Sequence, residues 1–392
     1  MTRGEKEMRG LVHPSATYTK TLAASTSRSV NPLNRMMHVI SPFLRKRVSH
    51  PAHGRNTPGF YFLVSRRAFY AGMWLSGILF VSVLVGLMCG NLMIAPLRVI
   101  KALFHGGEAA DLFLINELRL PRISAAISSG AGFALAGCLM QTLTRNRLAV
   151  PDVIGIGQAA TMGAVFAIAF LPSGVEATWW AMISAFGAVL LTFLLAGGVS
   201  QGGFGFAVIG LGIGALCHAL TTLLLARNSL EFANTTASWT TGSLGNISQA
   251  ALMRMWVALA LCLAVSCWLS FRLRTLYFAD TLIRGWGIRL PVIRIALLLQ
   301  AVLCATLAIA LAGPVAMVGL MGPEIARVIT GRHSVPFINA MLAGATLMVI
   351  ADTLGRTLFG DIEVPVGVIT ALLGGPCFLW ILFRCSAKGG SP

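Results

Sequence analysis

Long stretches without charge constrain this chain more than any motif does. Between Arg122 and Arg145 lie 22 uncharged residues, between Asp152 and Glu176 lie 23, and between Glu176 and Arg227 lie 50. A membrane-spanning helix needs roughly 20 apolar residues, so the first two gaps hold one span each and the third holds two. The chain is 56% hydrophobic and only 11% charged, against about 25% charged in soluble domains. The fold class is therefore an all-α polytopic membrane protein. Barrel strands would be shorter and would alternate polar with apolar residues.

The net charge of +17 raises the question of nucleic acid, and its distribution answers it. Twelve Lys or Arg fall in residues 1–67 against two acids, which fits a cytoplasmic flank rather than a nucleic-acid-binding domain. Residues 1–65 are expected to form a basic, disordered cytoplasmic extension, since they are rich in Ser, Thr, Asn, Pro and Arg without sustained periodicity. No apolar h-region with a cleavage site follows the first basic residues, so they do not read as a secretory signal. Met36 and Met37, just upstream of SPFLRKR, offer an alternative start.

The transmembrane domain is expected over 66–385, with a short cytoplasmic tail at 386–392. It should hold about ten spans: near 69–95, 123–143, 153–171, 178–195, 206–226, 255–270, 295–312, a short one at 315–321 whose helix continues through Ile329, 337–358 and 365–383. With both termini inside, 23 of the 30 cationic residues fall in inside segments and most acids fall outside, as orientation by basic loops requires. ALAG occurs at 134–137 in the second span and again at 310–313 in the seventh. Those spans would run in opposite directions, which suggests an inverted repeat of spans 2–5 and 7–10.

Enzymatic motifs are missing from the sequence. There is no HExxH and no GxSxG, and none of the five lysines follows a glycine, so a phosphate-binding GxxxxGK loop does not exist. The eight cysteines show no CxxC pair or metal-ligand spacing and read as small packing residues. No cofactor or metal is expected in this chain.

Three segments carry a resemblance. They are RLPRISAAISSGAGFALAGCLMQTLTRNRLAVPDVIG, AGPVAMVGLMGPEIARVITGRHSVP and ADTLGRTLFGDIEVPVGVITALLGGPCFLWILFR. Together they resemble the FecCD-type permeases, the membrane subunits of ABC importers for iron-siderophore complexes and vitamin B12, over about residues 65–385. Three positions depart from the pattern: Arg147 stands where the family has Pro, Glu324 where it usually has His, and Trp286 where it usually has Leu. The resemblance implies a permease that moves an iron(III)-siderophore complex across the bacterial inner membrane, with vitamin B12 or haem as alternative cargo. It implies a second permease subunit, the same or a homologous chain. It also implies two cytoplasmic ATPase subunits, which hold the ATP and Mg, and a periplasmic or lipid-anchored substrate-binding protein. An ion-coupled secondary transporter using Glu324 and Asp352 is the reading from a different class.

The resemblance also assigns residues. The inside connection 272–294 holds ADTLIRGWGI, in which Asp280 and Arg284, four apart, share one face of a short helix ending near Gly287. By resemblance this is the coupling helix that sits in a cleft of the ATPase. Arg119, Arg122 and Arg356 match positions whose arginines pair with glutamates of the binding protein, a task that suits the guanidinium fork. The cargo path is expected along span five and its outer extension, 210–242, with His218 a packed residue rather than an iron ligand. Glu324 is expected as a half-solvated helix-start carboxylate beside Arg327, with Pro323 in the first turn.

Overall fold

The structure is a computed structural model that describes residues 66–386, apart from 91, 105, 173–175, 198–203, 246, 248, 274–289, 332–336 and 359–362. The basic extension, the tail after 386 and the proposed coupling residues Asp280, Arg284 and Gly287 lie outside the described residues. Every regular element among the described residues is helical. In chain order these are α1 (Arg66–Met88), α2 (Pro96–Leu103), α3 (Ala109–Phe113), α4 (Leu120–Thr144), α5 (Ile156–Phe170), α6 (Ala177–Leu195) and α7 (Phe204–Arg227). There follow α8 (Leu230–Thr241), α9 (Gln249–Leu273), α10 (Leu290–Ala312), α11 (Val318–Thr330), α12 (Phe337–Thr357) and α13 (Val366–Ser386).

Helices stand at each of the expected span positions, but they are not equivalent. Seven stretches among the described residues are long and apolar enough to cross a membrane, while α5 and α13 contain shorter apolar runs. Helix α11 has only 13 residues, about 20 Å of rise against a hydrocarbon core of about 30 Å. The third span begins later than its sequence suggests. Pro151 opens a short 3-10 turn, Pro151–Ile154, and Gly155 takes a left-handed φ of 76° before α5 starts at Ile156. A Cβ at Gly155 would lie 2.6 Å from Gly214 Cα and 2.7 Å from Gly210 O, so only glycine lets this turn seat on α7.

Helix α4 is the centre of the fold. Nearly all of its residues from Ile123 to Leu143 are buried, on every face, as expected of a helix that is apolar all round. It packs against α10, α11 and α12 through small residues, the usual device where lipid removes the hydrophobic drive between helices. Outward-facing helices look different: large apolar side chains such as Trp74, Trp179, Leu216, Val257 and Trp268 are exposed on α1, α6, α7 and α9.

The two ALAG segments do different work. Gly137 lies in the body of α4, where a Cβ would overlap the backbone carbonyl of Gly319, whereas Gly313 follows α10 with a left-handed φ of 71°. The Gly319 carbonyl has a special reason to be there. Pro323 lies inside α11, not in its first turn, and a proline without an N–H leaves the carbonyl four residues earlier without its helical partner. That freed oxygen faces Gly137, whose missing side chain allows a Cα–H···O approach.

Candidate functional site

Where α1 and α12 end and α4 begins, the three singled-out arginines come together. Arg119 ends the wide helical turn Leu114–Arg119, and its guanidinium donates to the carbonyls of Leu87 (2.5 Å), Met88 (3.2 Å) and Leu92 (2.5 Å). It thereby caps the carbonyl end of α1, where the helix dipole favours a cation. Arg122 reaches Asp352 Oδ1 at 2.9 Å and Glu363 Oε2 at 2.9 Å. Arg356, one turn beyond Asp352 on α12, pairs with its other oxygen at 3.1 Å and donates to Gly86 O at 3.3 Å.

The arginines differ in what they offer a partner. Arg119, Arg356 and Asp352 are buried, so their charges are committed to holding the helix ends. Of this cluster only Arg122, with 17% of its side chain exposed, and Glu363, with 49%, reach the protein surface. The sequence pointed to all three arginines as contacts for a partner; two of them turn inward, because α1 ends in carbonyls that need donors. Nearby, Arg98 on α2 pairs with Asp111 at 2.7 Å and Glu108 at 3.0 Å. The Asp111 hydrogen bond, with help from both charges, holds that guanidinium above its usual pKa.

A second cluster joins α4, the segment after it and α11. Glu324 is 7% exposed and meets Arg327 at 3.3 Å and Arg147 at 3.5 Å. Arg327 also donates to Gln141 Oε1 at 2.5 Å. The expectation of a half-solvated carboxylate in a first helical turn is thus corrected. The helix begins at Val318, one turn and a half earlier, and wraps Glu324 between two guanidinium groups.

Apart from these clusters, the helices enclose a cavity of about 510 Å³. Its walls carry Asp152 from the 3-10 turn, Gln158 and Thr161 from α5, His218 and Thr222 from α7, and Thr241 from α8. The turn Pro314–Ala316 and the start of α13 complete it, and among the described residues no Lys or Arg lines it. The expected path along 210–242 therefore supplies part of this wall, but α5 and the 3-10 turn were not foreseen. The available signal was the recurrence of polar residues at Gln158 and Thr161, and at His218 and Thr222, three and four apart within apolar helices. His218 is exposed and lines the cavity. The reading of it as a packed residue is corrected, because it borders the open space of the cavity rather than a close helix contact.

Among the described residues no group of three or more His, Cys, Asp or Glu could hold a metal ion. The site is built to hold helix ends and to line a passage, without a nucleophile activated by a neighbouring base. The family model described as the FecCD transport family matches residues 78–384. The chain belongs to the FecCD transport family. This FecCD permease is 34% identical over 299 residues to the achromobactin transport system permease protein of Dickeya dadantii, covering 75% of this chain and 86% of that one. It is 31% identical over 326 residues to the vitamin B12 import system permease protein of Klebsiella pneumoniae, covering 81% and 95%. Its fold matches a solved chain described as an inward-facing conformation of the metal-chelate ABC transporter type, with a TM-score of 0.70, 26% identity and coverage of 81% and 99%. A FecCD permease is a multi-pass transport subunit and not an enzyme, and ATP hydrolysis resides in a separate subunit. ATPase and binding-protein partners follow from membership of this importer class.

Proposed function

We propose that this chain is the permease of an importer that carries an iron(III)-siderophore complex inward across the bacterial inner membrane, with both termini cytoplasmic. The observation that carries the proposal is the similarity, over most of both chains, to a permease named for achromobactin transport, combined with a polar-walled cavity between α5, α7 and α8. Vitamin B12 is the second reading, favoured by a relative named for that import. An ion-coupled carrier is disfavoured by the two carboxylates it would use, since Glu324 and Asp352 are each engaged by two arginines.

In this proposal the chain pairs with a second permease subunit, two ATPase subunits bind the inner side, and a periplasmic or lipid-anchored protein delivers cargo outside. The segment with Asp280, Arg284 and Gly287 meets the ATPase. The binding protein docks over the outer arginine cluster. There Arg122 is the guanidinium open to a partner carboxylate, and Arg119 and Arg356 act by fixing the helix ends that present it. The test is to co-purify the assembly, reconstitute it in liposomes and measure ATP hydrolysis with its binding protein and a panel of ferric siderophores, haem and vitamin B12. Stimulation by a ferric siderophore is expected. Stimulation by vitamin B12 alone would transfer the proposal to the second reading, and uptake that ignores ATPase loss but collapses with the proton gradient would refute both.

A further inference from the structure

Two residues 177 positions apart in sequence, Arg147 and Glu324, meet at 3.5 Å. Glu324 is held from its own helix as well, by Arg327 at 3.3 Å, and Arg327 is tied to α4 through Gln141 at 2.5 Å. The carboxylate is therefore a fixed point on the α4–α11 pair. Arg147 is not part of a helix. It follows Arg145, whose left-handed φ of 54° stops α4, and precedes the 3-10 turn that begins at Pro151.

That turn is where the consequence lies. Its Asp152 lines the cavity, and its Ile154 and Gly155 seat against Gly210 and Gly214 of α7. Only four residues separate Arg147 from Asp152, so a tether at one limits the travel of the other; each extended residue adds at most about 3.5 Å. The local hydrogen bonds of the segment are few: Leu148 N to Asn146 Oδ1, Ala149 N to Asn146 O, Val153 N to Val150 O and Gly155 N to Asp152 O. The turn is anchored on α7 by packing, with Pro151 and Ile154 buried and Gly155 against Gly210 and Gly214, so the Arg147 pair adds the tie from this segment to α11.

We infer that the Arg147–Glu324 pair is a positioning brace: it fixes the turn Pro151–Ile154, and with it the cavity wall at Asp152, to the α4–α11 pair. Transport enters this inference only as its consequence, which rests on the permease reading. In that consequence, the brace sets how far the wall moves as the inner mouth opens and closes. Because Arg147 is 34% exposed, the brace is weak enough to break and re-form during a cycle, and both groups stay satisfied when it does. Arg147 has solvent, and Glu324 keeps Arg327.

The experiment is amide hydrogen exchange on the full-length chain in lipid nanodiscs, a readout that needs neither cargo nor ATPase. In Arg147→Gln the amides of Leu148, Ala149, Val153 and Gly155 should exchange about five-fold faster, the scale of a partly exposed ion pair. Amides of α6 and α12 should be unchanged. Glu324→Gln should have the same effect, the double variant no more than either single, and Arg147→Lys should stay near the parent. If Glu324→Gln does not accumulate, Arg147→Gln decides alone, since its side chain is at the surface. Unchanged exchange in the turn, with only the melting temperature lowered, would overturn the brace and leave a mere structural pair. Additive single effects would overturn the pairing itself. Failure of the liposome assay above leaves this result standing, so the two readings fail separately.

Discussion

Asp352 is the residue on which the outer cluster turns, and its neutralisation should be costly for a reason that can be separated from shape. Its carboxylate is buried and accepts Arg122 at 2.9 Å on one oxygen while facing Arg356 at 3.1 Å on the other. Asp352→Asn keeps the volume but leaves two guanidinium groups sharing only Glu363, with Arg119 close behind. Removing one partner of a buried pair costs about 3–5 kcal/mol, most of it the penalty of the charge left behind. If charge is the cause, removing that stranded charge should restore stability. Asp352→Asn/Arg356→Gln loses the Arg356 hydrogen bond to Gly86, worth about 1 kcal/mol. It should nevertheless be about 1–2 kcal/mol more stable than Asp352→Asn alone, because Arg122 and Glu363 then balance. Equilibrium unfolding in mixed detergent micelles, followed by tryptophan fluorescence, measures both. A double variant as unstable as the sum of the two singles would refute the electrostatic account and make the site a matter of packing.

Other outcomes follow from the same geometry. Gly137→Ala should force α4 and α11 apart, since its Cβ would overlap the Gly319 carbonyl; overpacking of this kind costs about 1–3 kcal/mol, read as a lower unfolding midpoint, and an unchanged midpoint would deny the close approach. Arg122→Gln should weaken the stimulation of ATP hydrolysis by the binding protein in the assembled complex more than it lowers the folded yield, because Asp352 keeps Arg356 and Glu363 is half-exposed and free to turn to solvent; full stimulation would mean that Arg122 does not meet the partner. Arg119→Leu should do the reverse, lowering folded yield because the Leu87 and Leu92 carbonyls lose their guanidinium donor while that of Met88 keeps the Ile94 N–H, each loss worth about 1–3 kcal/mol when buried; normal yield with lost docking would mean that Arg119 meets the partner directly.

The sequence was legible where local chemistry suffices. The positions of α4, α6 and α7 follow from runs too long and apolar for anything but spanning helices, and the short α11 was visible from the proline and the charges that follow it. It was less legible at Pro151–Gly155. An apolar run beginning after Asp152 reads as one helix, yet the proline and a left-handed glycine hold its first residues in a turn on α7. The site shows the same division. Arg119, Arg122 and Arg356 stood out as arginines at the outer ends of spans, but whether a guanidinium faces a partner or a helix end depends on where the carbonyls of α1 stop. Nothing near Arg119 in sequence reports that. Likewise Glu324 and Arg327, three apart, were visibly a pair, whereas Arg147 was not.

What the sequence determined by itself is that this chain crosses a membrane as a set of helices. With no water in the bilayer core, a backbone there must satisfy its hydrogen bonds within the segment, so length and hydropathy alone decide the class. What only the tertiary structure decided is which charges meet. Arg122 finds Asp352 and Glu363 across 230 and 241 positions, and Arg147 finds Glu324 across the same kind of distance. Those encounters are set by how α4 crosses α11 and α12, and the crossings in turn by where glycine lets two backbones touch.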